Sequence, residues 1–184
     1  LMLDHLPDLD PVRPFAERLR AEAAELDPMR VDLRGHLTGS IDAVIRVRGA
    51  DGASRFVVVD YKTNRLTPRD RPARHGDYDE VPMTEAMAHH HYPLQALIYS
   101  VALHRFLRSR LPDYSPDLHL GGAAYLFVRG MSGPLGTAAP SDSHASANMV
   151  HGVYAWAIPP GLVVDLSRLL HGDQVNPAPG DETP

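Results

Sequence analysis

Two β-branched runs joined by Gly49-Ala50-Asp51-Gly52-Ala53 constrain this chain more than any other stretch of it. Asp-Gly between apolar runs is a strong local signal for a β-hairpin, because glycine supplies the positive φ that tight turns need. One arm is Gly39-Ser40-Ile41-Asp42-Ala43-Val44-Ile45, and the other is Val57-Val58-Val59-Asp60-Tyr61-Lys62-Thr63-Asn64, so each embeds an acid. Folding about Asp51 sets Asp42 directly across from Asp60, provided that the loop has an odd number of residues. A two-residue turn at Asp51-Gly52 would put the acids on opposite faces. The odd loop is the expected one. Lys62 then shares a face with Asp60, and Tyr61 points the other way.

Lys62 is the one lysine among eighteen basic residues, and the rest are arginine. An ammonium is a compact point charge that can hold a water or a phosphate oxygen, which a planar guanidinium does less well. Its place two residues after an acid, at the end of an apolar strand, points to chemistry. Two carboxylates about 5 Å apart repel by roughly 3–4 kcal/mol at an effective dielectric near 20. A divalent cation reverses that sign, and oxygen donors suit Mg²⁺ or Mn²⁺ rather than zinc. Asp42 and Asp60 are therefore candidate metal ligands, with the Tyr61 carbonyl as a third oxygen. Lys62 is the candidate activator of a water and stabiliser of charge on a phosphate. The alternative, one acid protonated or paired to an arginine, stands beside this reading.

With 184 residues, 43% of them hydrophobic and 22% charged, the chain has material for one domain with a proper core. Apolar runs are too short for a membrane span, no leader opens the chain, and the absence of cysteine fits a reducing, cytoplasmic setting. The net charge of −5 excludes a wholesale nucleic-acid coat, yet eight cations from Arg46 to Arg74 face only three acids. That local excess around Lys62 reads either as a solvated loop or as a phosphate-facing surface.

Periodicity predicts a short helix over 13–26 within an otherwise irregular segment 1–28, strands near 29–37, 38–48 and 55–61, and a mobile loop over 63–82. A helical pattern follows from 83 to 111, broken near His91 by Pro93. A buried strand at 121–128, a flexible insertion at 130–150, a strand at 153–158, a helix at 162–170 and a disordered tail over 173–184 complete the reading. Leu94, Leu97, Ile98 and Val101 are expected on the buried side of the long helix, with Gln95 and Tyr99 stacked on another face. His89, His90 and His91 are consecutive and diverge by about 100° each on a helix, so they read as solvent-facing rather than as a metal site.

Gly-x-Ile-Asp followed by Val-Val-Asp-Tyr-Lys-Thr-Asn resembles the signature of the PD-(D/E)xK nuclease superfamily. Three further blocks resemble the RecB-type nuclease domains within it: His90 to Leu107, Gly121 to Met131, and His151-Gly152-Val153-Tyr154 with the final Leu-rich helix. The resemblance spans roughly residues 30–172. It implies an α/β fold, restriction-endonuclease-like, with a mixed central sheet flanked by helices and a nuclease core over 29–172. It also implies Mg²⁺ as cofactor and hydrolysis of single-stranded DNA as in exodeoxyribonuclease V. The partners it implies are RecC- and RecD-like subunits and the helicase part of a longer parent chain. Asp42, Asp60, Lys62, Gln95 and Tyr99 are the catalytic candidates, Gln95 and Tyr99 on the face turned to the DNA.

In that family an upstream helix contributes a histidine to the metal site. His5 and His36 are the only histidines before Asp42, and neither matches it. The segment carrying it is expected to precede Leu1, which would leave metal weakly held and activity low. Two alternatives remain open at this point: a non-catalytic DNA-binding or subunit-docking module of the same fold, and a resolvase or restriction-type enzyme acting on duplex DNA.

Overall fold

A computed structural model describes residues 1–25, 38–49, 51–131 and 151–172. Within them the elements are α1 (Met2–His5), α2 (Arg13–Ala24), β1 (Ala43–Arg48), β2 (Ser54–Lys62), α3 (Glu80–His89), α4 (Tyr92–Arg110), α5 (Pro116–His119), β3 (Leu120–Phe127), β4 (Val153–Trp156) and α6 (Pro160–Leu169). The expected strand at 29–37, most of the expected insertion (132–150) and the expected tail lie outside the described residues. Among the described residues no helix is long and apolar enough to cross a membrane.

The four strands form one mixed sheet in the order β1-β2-β3-β4. β1 and β2 are antiparallel, β2 and β3 parallel, and β3 and β4 antiparallel. The hairpin has the odd loop: Ala43 pairs with Val59 and Arg48 with Ser54, and the Gly49 amide donates to the Ala53 carbonyl at 2.8 Å. Gly52 supplies a φ of 77° at the turn. The parallel step from β2 to β3 needs a crossover, which α3, α4 and α5 provide. The resulting α/β architecture is the mixed sheet flanked by helices that the sequence resemblance implies.

β1 begins later than expected, because Asp42 lies in a bend just before the ladder. Its carboxylate Oδ2 accepts the Tyr61 N–H at 3.0 Å, so a side chain takes the place of a ladder partner. β3 carries one extra residue where it passes Phe56 and Val58 of β2: Phe56 pairs with Leu120, but Val58 pairs with Ala123. The glycines Gly121-Gly122 absorb the shift. Gly122 has φ +83°, and a Cβ there would meet the Trp156 carbonyl oxygen at 2.2 Å, so only glycine fits.

Pleating then sorts the sheet. Val58, Asp60 and Lys62 share one face with their partners Ala123, Tyr125 and Phe127, and with Trp156 and Tyr154 beyond. The helices cover this face, and Tyr125, Phe127, Trp156, Ala96, Leu97 and Leu162 form its buried centre. On α4 the buried residues are Pro93, Ala96, Leu97, Ser100, Val101, Leu103, His104 and Leu107. Ile98 is 38% exposed and corrects the expected stripe, since residue 98 lies about 100° around the helix from Leu97. α3 and α4 are separate helices, as the break near His91 requires. His91 takes the left-handed conformation (φ 56°) and turns the chain into α4.

The opening segment is built into the core to a greater degree than its Pro- and Asp-rich composition suggests. Leu6, Val12, Phe15 and Ala16 are buried. Asp10 accepts the Trp156 indole N–H at 3.2 Å, and His5 Nε2 meets Asp165 Oδ2 at 3.0 Å on α6.

Residues 63–78, expected to be mobile, are organised around the Asp77 carboxylate. It receives the Thr67 hydroxyl at 2.9 Å, the Arg74 amide at 2.8 Å and both terminal nitrogens of Arg71. Arg65 donates to the Arg71 carbonyl at 2.9 Å, and Tyr78 is buried beneath. Hydrogen bonds from Arg71 and then from the Arg74 backbone hold the Asp77 carboxyl well below the usual carboxylate range. The clasp therefore contributes fully above about pH 4 and is lost as pH falls toward that lowered value. Asp77→Ala should speed tryptic cleavage after Arg69 or Arg74 several-fold at pH 7, with the urea midpoint little changed. Unaltered cleavage would show that the loop does not depend on this carboxylate.

Candidate active site

Because strand side chains alternate, Asp60 and Lys62, two apart on β2, share the covered face beneath the first turns of α4. Asp60 is 4% exposed. Its Oδ2 stands 2.6 Å from Lys62 Nζ in an ion pair, yet the approach is outside hydrogen-bonding geometry and this buried oxygen accepts no hydrogen bond. The ammonium donates to Gln95 Oε1 at 3.0 Å. It also lies 3.8 Å from the centre of the Tyr92 ring and 5.1 Å from that of Tyr125. Carboxylate, amide oxygen and aromatic faces thus surround the only lysine of the chain. A cation over a partly desolvated ring contributes about 1–2 kcal/mol, and the ring brings no second charge out of water.

Gln95 connects this centre to the next turn of α4. Its Oε1 accepts from Lys62 and, at 3.3 Å, from the Tyr125 hydroxyl, while its Nε2 donates to the Tyr99 hydroxyl at 3.1 Å. Two donors on one side and an acceptor on the other settle the orientation of the amide. Tyr125 also donates to the Tyr92 carbonyl at 2.9 Å. Burial, reinforced by the Asp60 charge, pushes the Tyr125 phenol far above its ordinary pKa, so it acts only as a neutral donor. Tyr99 packs toward Gly39, at the start of the arm that carries Asp42.

The structure therefore brings Asp60, Lys62, Gln95 and Tyr99 into one continuous set of contacts. Asp42 is placed differently. The β1–β2 pairing begins at Ala43, so Asp42 lies one residue before the ladder, and its exposed side chain bonds the Tyr61 amide rather than joining the ion pair. The Tyr61 ring is 53% exposed on the opposite face, as strand alternation requires. His89, His90 and His91 are exposed. The His90 ring nevertheless stacks on Tyr92 at 5.1 Å, and its Nε2 lies 3.1 Å from Asn64 Nδ2.

Three side chains at this centre were not among the sequence candidates. Tyr92 precedes Gln95 by three residues, so helical spacing alone puts the two together. Asn64 follows Lys62 by two and accepts the Tyr92 hydroxyl at 3.2 Å. Tyr125 carries no such signal. It reaches Asp60 only through the extra glycine in β3, without which Ala124 would occupy that register.

A model of the PD-(D/E)XK nuclease superfamily matches residues 9–179. The chain belongs to that superfamily. It is 47% identical over 173 residues to the RecBCD enzyme subunit RecB of Mycolicibacterium smegmatis, covering 94% of this chain and 14% of that protein. It is 49% identical over 170 residues to RecB of Mycobacterium tuberculosis (92% and 14%), and 37% identical over 135 residues to RecB of Escherichia coli (69% and 10%). It thus spans about a seventh of the mycobacterial relatives.

Asp60-Tyr61-Lys62 has the spacing written in the PD-(D/E)XK name. The Asp60 carboxylate is an oxygen donor of the kind a hard divalent cation takes, and the exposed Asp42 carboxylate lies on the neighbouring arm of the hairpin. Among the described residues no three of His, Asp and Glu gather into a group that could hold a metal ion. Asp60→Ala would leave the Lys62 charge, 11% exposed, without its carboxylate. The variant should unfold in urea with a loss of about 3 kcal/mol. A loss under about 1 kcal/mol, as for exposed pairs, would show that the pair is not desolvated in solution.

Proposed function

We propose that this chain is a metal-dependent DNA nuclease domain that hydrolyses phosphodiester bonds, acting within a RecBCD-type helicase–nuclease in DNA end processing and recombinational repair. The observation that carries the reading is the desolvated Asp60–Lys62 pair, with its hydrogen-bond line through Gln95 to Tyr99. A purely structural ion pair has no need of a lone lysine among seventeen arginines.

Asp42 and Asp60, with the Tyr61 carbonyl, would hold Mg²⁺ or Mn²⁺. When bound, the ion supplies positive charge against the phosphate and acidifies water. Lys62 donates to the attacking water or to the phosphate oxygen that gains charge, and burial under α4 strengthens that interaction. Gln95 and Tyr99 position the strand. Arg69 and Arg74, exposed on the clasped loop, add sequence-independent attraction for phosphates. The catalytic core is assigned to 29–172. Similarity to RecB, the subunit of an enzyme named RecBCD, supports a longer parent chain with helicase motors and RecC- and RecD-like partners, and single-stranded DNA is the substrate this reading takes.

The absence of a third His, Asp or Glu at the centre among the described residues favours one alternative, a DNA-binding or docking module without catalysis. Assays on linear single strands, linear duplexes and branched duplexes, with and without Mg²⁺, separate the readings. The nuclease reading expects Mg²⁺-dependent loss of linear strands from their ends with little sequence preference. Lys62→Arg should abolish that loss while circular dichroism keeps its folded signature at a lowered thermal midpoint, since a planar guanidinium cannot occupy the ammonium site and leaves the buried Asp60 carboxylate poorly matched. Wild-type cleavage by Lys62→Arg would overturn the role given to the lysine.

A further inference from the structure

The Lys62 ammonium has four close neighbours, Asp60, Gln95, Tyr92 and Tyr125, and the nuclease reading assigns the first two elsewhere. Asp60 turns to the cation and Gln95 to the DNA strand. Tyr92 is the nearer of the two rings left without a task. Its ring centre is 3.8 Å from Nζ, well inside the roughly 6 Å reach of a cation–π contact.

We propose that Tyr92 is a positioning residue for Lys62, its ring face holding the ammonium in place, and that Tyr125, Asn64 and His90 hold the ring. The supports converge from three elements. From β3, the Tyr125 ring stacks on Tyr92 with centroids 5.6 Å apart and planes 20° apart, and its hydroxyl bonds the Tyr92 carbonyl. From the residues after β2, Asn64 accepts the Tyr92 hydroxyl. From the end of α3, His90 stacks on the same ring and is tied to Asn64. Left-handed backbone at His91 sets Tyr92 as the first residue of α4, with Gln95 one turn on. A ring face suits this duty for a physical reason. It attracts a cation without accepting a proton or forming a directed bond, so the ammonium can turn its N–H groups to a substrate oxygen. A second carboxylate in that place would compete with substrate for the same protons.

This proposal rests on the nuclease reading for its kinetic arm, but not for its structural one. Because Lys62 is the only lysine, lysine-selective ¹³C labelling yields a single side-chain signal. The wild-type ε-CH₂ protons should be shifted upfield by the ring current of Tyr92. The shift should persist in Tyr92→Phe, which loses only the hydroxyl contact to Asn64, and collapse in Tyr92→Leu. In Mg²⁺-dependent cleavage of linear single-stranded DNA, Tyr92→Phe should keep most of kcat, and Tyr92→Leu should lose about tenfold in kcat with KM unchanged. Thermal midpoints check that both variants fold. Random-coil ε-CH₂ shifts in the wild type overturn the proposal, as does a Tyr92→Leu variant that folds and matches Tyr92→Phe in kcat. If wild type shows no cleavage, the nuclease reading fails by itself, and the ring-current arm still decides whether the ring holds the ammonium.

Discussion

One desolvated ion pair organises this molecule. Asp60 and Lys62 could lie on opposite faces of β2 or at its solvent edge, and either would make them ordinary surface charges. Placed two residues apart on the covered face, they bring a carboxylate and an ammonium out of water together. Such a pair gains little net stability, because desolvation offsets most of the attraction. It survives only where other groups complete its surroundings. Gln95, Tyr92 and Tyr125 do this from a helix and a neighbouring strand, so the start of α4 and the register of β3 both bear on the pair.

The β3 register shows how a backbone detail reaches the chemistry. A single extra residue at Gly121-Gly122 exchanges Ala124 for Tyr125 beside Asp60. That substitution of neighbours supplies the hydroxyl on Gln95 Oε1 and the ring beside Lys62. The backbone at Gly122 approaches Trp156 too closely for any Cβ, so this shift is locked by the packing of β4. Strand pairing, aromatic stacking and lysine environment are links of one chain of causes.

Much of this was legible in the residues because it depends on local spacing. The hairpin register follows from loop length and alternation, the helix break from Pro93, and the shared face of Asp60 and Lys62 from the two-residue period of a strand. What depended on contacts between distant segments was not legible. Tyr125 gives no sign in its own strand that it will reach Asp60. The clasp on Asp77 turns an arginine- and proline-rich stretch, which reads as loose, into an ordered loop, because one carboxylate gathers Thr67, Arg71 and Arg74. The bend at Asp42 was hidden as well, since an acid in an apolar run reads as strand until its side chain is seen bonding the Tyr61 amide. The four-residue spacing of Gln95 and Tyr99, by contrast, foretold that they would meet on one helical face.

The central claim is that Asp60 is the acid through which this centre meets a divalent cation. Thermal unfolding as a function of Mg²⁺ concentration tests it most directly, because a ligand of the native state raises the midpoint by mass action. The account expects the wild-type midpoint to climb with Mg²⁺ at constant ionic strength and that of Asp60→Asn to stay level. Equal responses from the two proteins would contradict it.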